Sequence, residues 1–400
     1  MDKRPLRIVK IWKDDYPWDI RVEKISRTLV DNGHEVYLIC RNVKKLKMEE
    51  VSDGIKIIRF FPMRIDFLNK IHSIPIFFNP FWLFKIFHIV RRTRADVILV
   101  RELPLVISGL LIGKILNVPT IYDMAENYPA LWKDVISETS GNFILKNPAV
   151  AKLIEKIALK YSDHIIVVVE ESKRRLLRKG IKPEKVAIVG NTPQLENLSR
   201  IPSTERCLPS DKFILLYVGL VNTSSRGLEI VLSSLKTLAV IIPNIYFAVV
   251  GSGMHLDKLK ALAAELNIEP YVHFPGWVDH HLIFSYIHES NICIIPHQKT
   301  EHTDTTIPNK LFDYMSGKKP VIVSDVIPLK RIVEAEKCGI VFNYNNVRSF
   351  KEAVIKLWED PSLRKEMGEN GYSAVKKKYN WSFDSRILLE VIEKIGKNST

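Results

Sequence analysis

The sequence has little cysteine and no pattern in what it has. Cys40, Cys207, Cys293 and Cys338 stand far apart, without the paired spacing of a zinc ligand set or a disulfide framework. That usage fits a reducing compartment. A long uninterrupted apolar run is also missing: the most apolar stretch, Ile74 to Val90, is broken by Pro75, Asn79, Pro80 and Lys85 and falls short of the ~20 apolar residues that span a bilayer. Met1 to Arg7 lead directly into the strand-like Leu6 to Ile11, without the apolar core and small-residue cleavage site of a secretory leader, so a cytoplasmic chain is expected. There is no Asp-x-Asp pair to carry a metal that bridges a diphosphate, and no metal or cofactor is expected. Val250-Gly251-Ser252-Gly253 starts like a dinucleotide turn but lacks the third glycine and the acidic residue of that fingerprint, which excludes a dehydrogenase signature.

What is present is a globular chain of 400 residues, 46% apolar, with a mean hydropathy near zero, long enough for two domains of ~200 residues each. Its net charge of +14 is unevenly placed: residues 1–200 hold 35 Lys and Arg against 23 Asp and Glu, a net +12, and the remainder holds 24 against 22. Such asymmetry directs the first half toward something anionic. The basic residues form no nucleic-acid reader module, and no nucleic-acid partner is expected.

In the first half, strand-like Leu6 to Ile11, a helical pattern from Asp19 to Asn32 and strand-like Val36 to Ile39 give a strand-helix-strand order that implies parallel pairing. An extended piece at Asp53 to Phe60, a helix at Phe81 to Arg94, a strand at Val97 to Val100, a helix at Leu105 to Leu116 and a strand at Pro119 to Tyr122 follow. A helix from about Asn147, a strand at Ile165 to Val169, a helix at Ser172 to Lys179 and a strand at Val186 to Val189 complete the series. The alternation predicts a doubly wound α/β domain with ligands at the carboxyl ends of its strands. The loop Asp123 to Pro129 lies at such an end, and its carboxylates, Asp123 and Glu126, have the chemistry of a base toward an acceptor hydroxyl or of a group that steadies developing positive charge. Arg21, near a helix start, is a candidate for an anionic acceptor, or equally a surface ion-pair residue. The segment Ile76 to Phe87, followed by Arg91, Arg92 and Arg94, mixes large apolar groups with positive charge, a composition suited to an anionic membrane interface as well as to packing on the sheet.

Periodicity fails between Asn191 and Lys212, where the domain connection is expected. A second alternating series follows, with strands at Phe213 to Val218, Tyr246 to Val250, Tyr271 to Phe274, Ile292 to Ile295, Pro320 to Val323 and Gly339 to Phe342. After its first strand, Gly219 opens a turn that reaches a helix entrance at Arg226, an arrangement suited to a diphosphate. Thr305-Thr306-Ile307-Pro308-Asn309-Lys310-Leu311-Phe312-Asp313-Tyr314-Met315-Ser316-Gly317 reads as a loop and short helix. Lys310 and Asp313 share one side of it, opposite Leu311, Phe312 and Met315. An Asp inside a helix is mildly unfavourable, so its carboxylate invites a second use, and two acceptor oxygens suit a ribose diol.

The sequence TIPNKLFDYMSGKKPVIVSD resembles the donor-binding segment of the retaining family-four glycosyltransferases (group 1), in a sub-branch reading Pro-x-Lys-Leu-Phe-acid-Tyr-Met. That resemblance implies a GT-B fold, two Rossmann-like doubly wound domains facing across a cleft: an acceptor-side domain over residues 1–195, onto which a terminal helix at 382–397 packs back, and a sugar-nucleotide domain over 206–380. It implies a retaining transfer from a nucleotide sugar to a glycan or lipid-linked acceptor in cell-surface polysaccharide or lipopolysaccharide synthesis, peripheral on the cytoplasmic face of an anionic membrane. The donor residues it implies are Gly219, Arg226, Gly251, Trp277, Val278, His297, Thr305, Thr306, Lys310 and Asp313. The family's two glutamates, eight positions apart, correspond to Thr305 and Asp313, and the family's Asp-x-His-acid loop to Asp123, Ala125 and Glu126. Two alternatives stay open, a GT-B sugar-nucleotide epimerase and a non-catalytic sugar-nucleotide-binding scaffold.

Overall fold

The structure is a computed structural model that describes residues 4–17, 19–138, 146–194 and 206–397. Most of the expected connection, residues 195–205, lies outside the described residues. The chain forms two compact units, one from Met1–Ile136, Ser140–Asn191 and Asp384–Thr400, the other from Ser137–Thr139 and Thr192–Phe383.

Among the described residues the first unit is built on eight strands, β1 (Arg7–Ile11), β2 (Glu35–Cys40), β3 (Glu49–Ser52), β4 (Ile55–Arg59), β5 (Val97–Arg101), β6 (Thr120–Met124), β7 (His164–Val167) and β8 (Val186–Ile188). Their order is β3-β4-β2-β1-β5-β6-β7-β8, parallel throughout except for the antiparallel β3–β4 pair. β1, β5 and β6 are buried along almost their whole length, as strands covered on both faces must be. The helices are α1 (Ile20–Asp31), α2 (Asp66–His72), α3 (Pro80–Thr93), α4 (Leu103–Leu116), α5 (Tyr128–Glu138), α6 (Pro148–Tyr161) and α7 (Glu170–Arg178). Local chemistry fixes where they start. Asp19 caps α1 by accepting from Val22 N, and Asn79 and Asn147 cap α3 and α6, each followed by a proline in the first turn.

The second unit holds six parallel strands, β9 (Phe213–Val218), β10 (Ile245–Val250), β11 (Val272–Gly276), β12 (Ile292–Ile295), β13 (Val321–Ser324) and β14 (Gly339–Phe342), in the order β11-β10-β9-β12-β13-β14. Its helices are α8 (Leu228–Ile241), α9 (Leu256–Glu265), α10 (His280–Glu289), α11 (Lys310–Ser316), α12 (Ile327–Glu336), α13 (Val347–Glu359) and α14 (Pro361–Lys377). The last helix, α15 (Trp381–Lys397), starts in this unit and from Asp384 belongs to the first. There Asp384 Oδ1 accepts from Gly190 N at 2.9 Å, and Gly396 lies so close to the Leu6 side chain that an added Cβ would stand 2.5 Å from it.

Two features depart from the sequence reading. The loop expected at Asp123 is strand, because β6 runs on to Met124, and α5 begins already at Tyr128. The short strand β3 and helix α2 carry patterns that periodicity does not flag. Gly317 stands directly past the end of α11, as its place in the sequence suggests, with φ −79°, and the left-handed residue after it is Lys318, at φ 57°. Gly317 is small for packing instead, since an added Cβ would meet Ile287 Cγ2 at 2.4 Å. Among the described residues no helix is long and apolar enough to cross a membrane.

Candidate active site

In an open parallel sheet the crevice for a ligand forms where neighbouring strands run off in opposite directions of the strand order. In the second unit that point lies between β9 and β12, and the chain leaving each strand supplies Gly219 and His297 respectively. Gly219 has φ +136°, and a Cβ placed on it would stand 2.7 Å from Lys310 Nζ. The same ammonium lies 3.6 Å from the centre of the Tyr217 ring, a cation over an aromatic face. Lys310 is partly exposed along its stem, but its Nζ is enclosed and has no hydrogen-bond partner.

Two further basic groups act on this position. Arg226 ends a 3-10 turn (Ser224–Arg226), and Gly227, left-handed at φ 68°, carries the chain into α8. A side chain at Gly227 would drive a Cβ to 1.9 Å from Pro296 O, so this close approach requires glycine. Arg226 Nε and His297 Nε2 are, like Lys310 Nζ, buried without a hydrogen-bond partner. Burial, reinforced by Arg226 and partly opposed by Asp313, holds the Lys310 ammonium well below its ordinary pKa. Burial, with Arg226, Lys310 and His302 adding to it, depresses His297 likewise. Desolvated basic groups gathered at a switch point form an environment in which an anion favours their charged forms.

The remaining donor candidates are placed as follows. Asp313 lies on the partly exposed side of α11, opposite Leu311, Phe312, Tyr314 and Met315, and within electrostatic reach of Lys310. Gly251 follows β10 and packs its backbone against that of Gly219, where an added Cβ would stand 2.1 Å from Gly219 O. Trp277, directly after β11, is 74% exposed, and Val278 is half-buried. Thr305 and Thr306, which the resemblance assigns to the donor, use their hydroxyl protons locally. Thr305 Oγ1 donates to Glu301 O at 2.8 Å and His302 O at 3.1 Å, and Thr306 Oγ1 to His302 O at 3.2 Å. Both close the turn ahead of α11.

In the first unit the switch point lies between β1 and β5, and a charge network occupies the strand ends there. Asp123, fully buried, accepts from Arg21 Nε and Nη2 at 3.1 and 2.7 Å, and Arg101 Nη1 stands 3.5 Å from its other oxygen. Arg21, also buried, donates its remaining nitrogen to Val189 O at 2.9 Å and Gly190 O at 3.0 Å. Burial opposes the Asp123 charge, but Arg21, Arg101 and Lys10 outweigh it and keep the carboxyl below its ordinary range. Two expectations are thereby corrected. Asp123 is committed to buried guanidinium groups and has no lone pair placed as a base toward an acceptor. Arg21 is neither an acceptor ligand nor a surface residue; it ties the end of β6 to the chain leaving β8. Glu126 is half-buried and keeps a path to solvent.

Sequence reading missed Arg101 and Glu102. Arg101 Nη2 bonds Asp19 Oδ2 at 3.0 Å, while its Nε has no hydrogen-bond partner. Glu102 is 3% exposed, with φ 72° and ψ 159°, a backbone region that residues other than glycine rarely adopt. Its Oε2 is also without a hydrogen-bond partner. Burial, opposed by Arg101 and reinforced by Glu126 and Asp123, pushes its carboxyl up to about 8. The available signal was position alone: a charged pair directly at the end of a predicted central strand. Among the described residues no group of three His, Cys, Asp or Glu side chains gathers as metal ligands.

Two family models match this chain, Glycosyl transferases group 1 over residues 204–374 and Glycosyltransferase Family 4 over residues 20–195. The uncharacterized glycosyltransferase MJ1069 of Methanocaldococcus jannaschii is 22% identical over 372 residues, 91% of this chain and 91% of its own. The capsular polysaccharide biosynthesis glycosyltransferase CapM of Staphylococcus aureus is 24% identical over 253 residues, 60% of this chain and 63% of its own. The Anabaena protein Alr3699/HepE, solved in complex with UDP-glucose, superposes with a TM-score of 0.71 at 14% identity, covering 97% of this chain and 100% of that one.

Proposed function

The chain belongs to the group 1 glycosyltransferases of GT-B fold, and from that premise we propose that it transfers a sugar from a nucleoside diphosphate sugar to a glycan or lipid-linked acceptor. The transfer retains anomeric configuration and serves synthesis of cell-surface polysaccharide or lipopolysaccharide at the cytoplasmic face of an anionic membrane. CapM, a relative named for capsular polysaccharide biosynthesis, and HepE, solved with UDP-glucose, support the donor class and the product class.

The observation that carries the donor reading is the convergence of Lys310 Nζ, Arg226 Nε and His297 Nε2, buried without hydrogen-bond partners, beside the open backbone of Gly219. A diphosphate supplies the missing acceptors and charge, and Gly219 lets it approach the backbone. Asp313 then takes the ribose hydroxyls, with Trp277 and Val278 toward the base. With positive side chains on the leaving diphosphate, no metal is invoked. On the acceptor side Glu126 steadies the incoming hydroxyl, and Asp123 acts only by holding Arg21 and Arg101.

A thermal-shift series with UDP, GDP, dTDP and ADP sugars tests this on wild type, Lys310→Met and Asp313→Ala. One nucleotide should stabilise the wild type, by ~2.7 kcal/mol at 100 times its dissociation constant, and both variants should lose the response. A wild type that answers to none of them ends the donor reading. The anomeric proton coupling of the transfer product decides retention.

A further inference from the structure

Helix α2 is built inside out. It buries Asn69 and His72 and turns Phe67, Leu68 and Ile71 outward at 68%, 44% and 46% exposure. Asn69 fixes the helix in that orientation: its Nδ2 donates to Asn42 O at 3.0 Å, and its Oδ1 accepts from Met63 N at 3.1 Å. A helix whose only buried side chains are polar, and whose apolar side chains stand outward beside Asp66 and Lys70, has its hydrophobic partner outside the fold.

The outward face continues into the next element. The His72 and Phe81 rings meet edge to face at 5.9 Å, joining α2 to the first turn of α3. Phe78, Phe81 and Phe84 are 62%, 53% and 74% exposed beside it, while Trp82 and Ile86 on the opposite side of α3 are fully buried in the core. The same stretch is basic. Residues 41–94 hold twelve Lys and Arg against four Asp and Glu, a net +8 of the chain's +14. All four acids are ion-paired: Glu49 to Arg92, Glu50 to Arg59, Asp53 to Arg27 and Asp66 to Lys45.

We propose that α2 and the first turns of α3 form an interfacial docking surface that inserts its Phe, Leu and Ile side chains into an anionic phospholipid bilayer, under a collar of Lys and Arg. The charge decides the occupant. A second copy on the same face would set one strongly positive surface against another, whereas anionic headgroups match the collar and the acyl boundary takes the apolar side chains. The inference deepens the membrane-face reading above and rests on it, naming the surface and moving its centre from α3, where the sequence placed it, to α2.

The test uses the full chain and sedimentation with phosphatidylcholine vesicles, with and without about one third phosphatidylglycerol. Wild type, Phe67→Ser/Ile71→Ser and Phe81→Ser/Phe84→Ser are compared at low and high salt, after circular dichroism and light scattering establish that each is folded and of known mass. Wild type should bind only the anionic vesicles, less at high salt. Each double variant should partition on the order of tenfold more weakly while its nucleotide thermal shift is unchanged. Failure of wild type to bind, equal binding by the variants, or a lipid-independent dimer that the variants dissolve overturns the proposal. Loss of the nucleotide response in wild type would instead strike the donor reading and leave the vesicle result standing.

Discussion

Lys310 and Glu102 show what burial does to a titratable group, with opposite signs. The Lys310 ammonium has no hydrogen-bond partner and a pKa held well below its ordinary value by burial, so below that ordinary value the unfolded chain binds more protons than the folded one. Its contribution to stability therefore rises with pH and declines as pH falls. Lys310→Met should leave thermal stability at pH 7 unchanged or higher while abolishing nucleotide binding, a pairing that a merely structural lysine would not give. A bound diphosphate favours the charged ammonium, so nucleotide binding should raise stability in wild type and not in Lys310→Met, read by urea unfolding with and without the nucleotide. Glu102 behaves oppositely. Its folded value of about 8 lies above the ordinary 4.5; its contribution is complete below the ordinary value and is lost as pH rises through the folded one. Glu102→Gln should remove that loss, making the variant more stable than wild type at pH 9 by at least ~1 kcal/mol in urea unfolding and closer to it at pH 5.

At the scale of elements, the ends of β1, β5 and β6 are held by charge rather than by apolar packing alone. Breaking a buried pair leaves its partner's charge without compensation, so Arg21→Ala should cost ~3–5 kcal/mol, and Arg21→Met with Asp123→Leu together clearly less than the single change; urea unfolding of the three variants decides it. This network also marks the limit of what was legible. Three strands of the second unit, Phe213–Val218, Ile292–Ile295 and Gly339–Phe342, fall where hydrophobic pattern and turn residues put them, because burial on both faces leaves a continuous apolar run. Asp123 read as loop since a carboxylate at a strand end has the same local signature whether it meets water or a guanidinium 102 residues away. Helix α2 was missed for a related reason: periodicity identifies the apolar side as the inner one, and here it is the outer one. The Lys310 and Asp313 side of α11 was readable because its polar residues stand against an otherwise apolar helix. The local use of the Thr305 and Thr306 hydroxyl protons was not readable because a hydroxyl facing a ligand and one closing a turn leave the same sequence.

At the scale of the molecule, each unit has a hydrophobic core of its own, one built around Val9, Ile98 and Trp82 and the other around Leu215, Phe247 and Ile322. A chain with two cores has no requirement to unfold in one step, and a ligand stabilises only the unit whose folded form binds it. All the groups assigned to the nucleotide, from Gly219 to Asp313, lie in the second unit. Differential scanning calorimetry should therefore resolve two transitions, with the preferred nucleotide raising the one that belongs to the second unit and leaving the other in place. Lys310→Met should remove that displacement, and Arg21→Ala should lower only the transition that the nucleotide does not move. A nucleotide that raised both transitions equally, or only the one lowered by Arg21→Ala, would place the binding energy outside the switch point of β9 and β12.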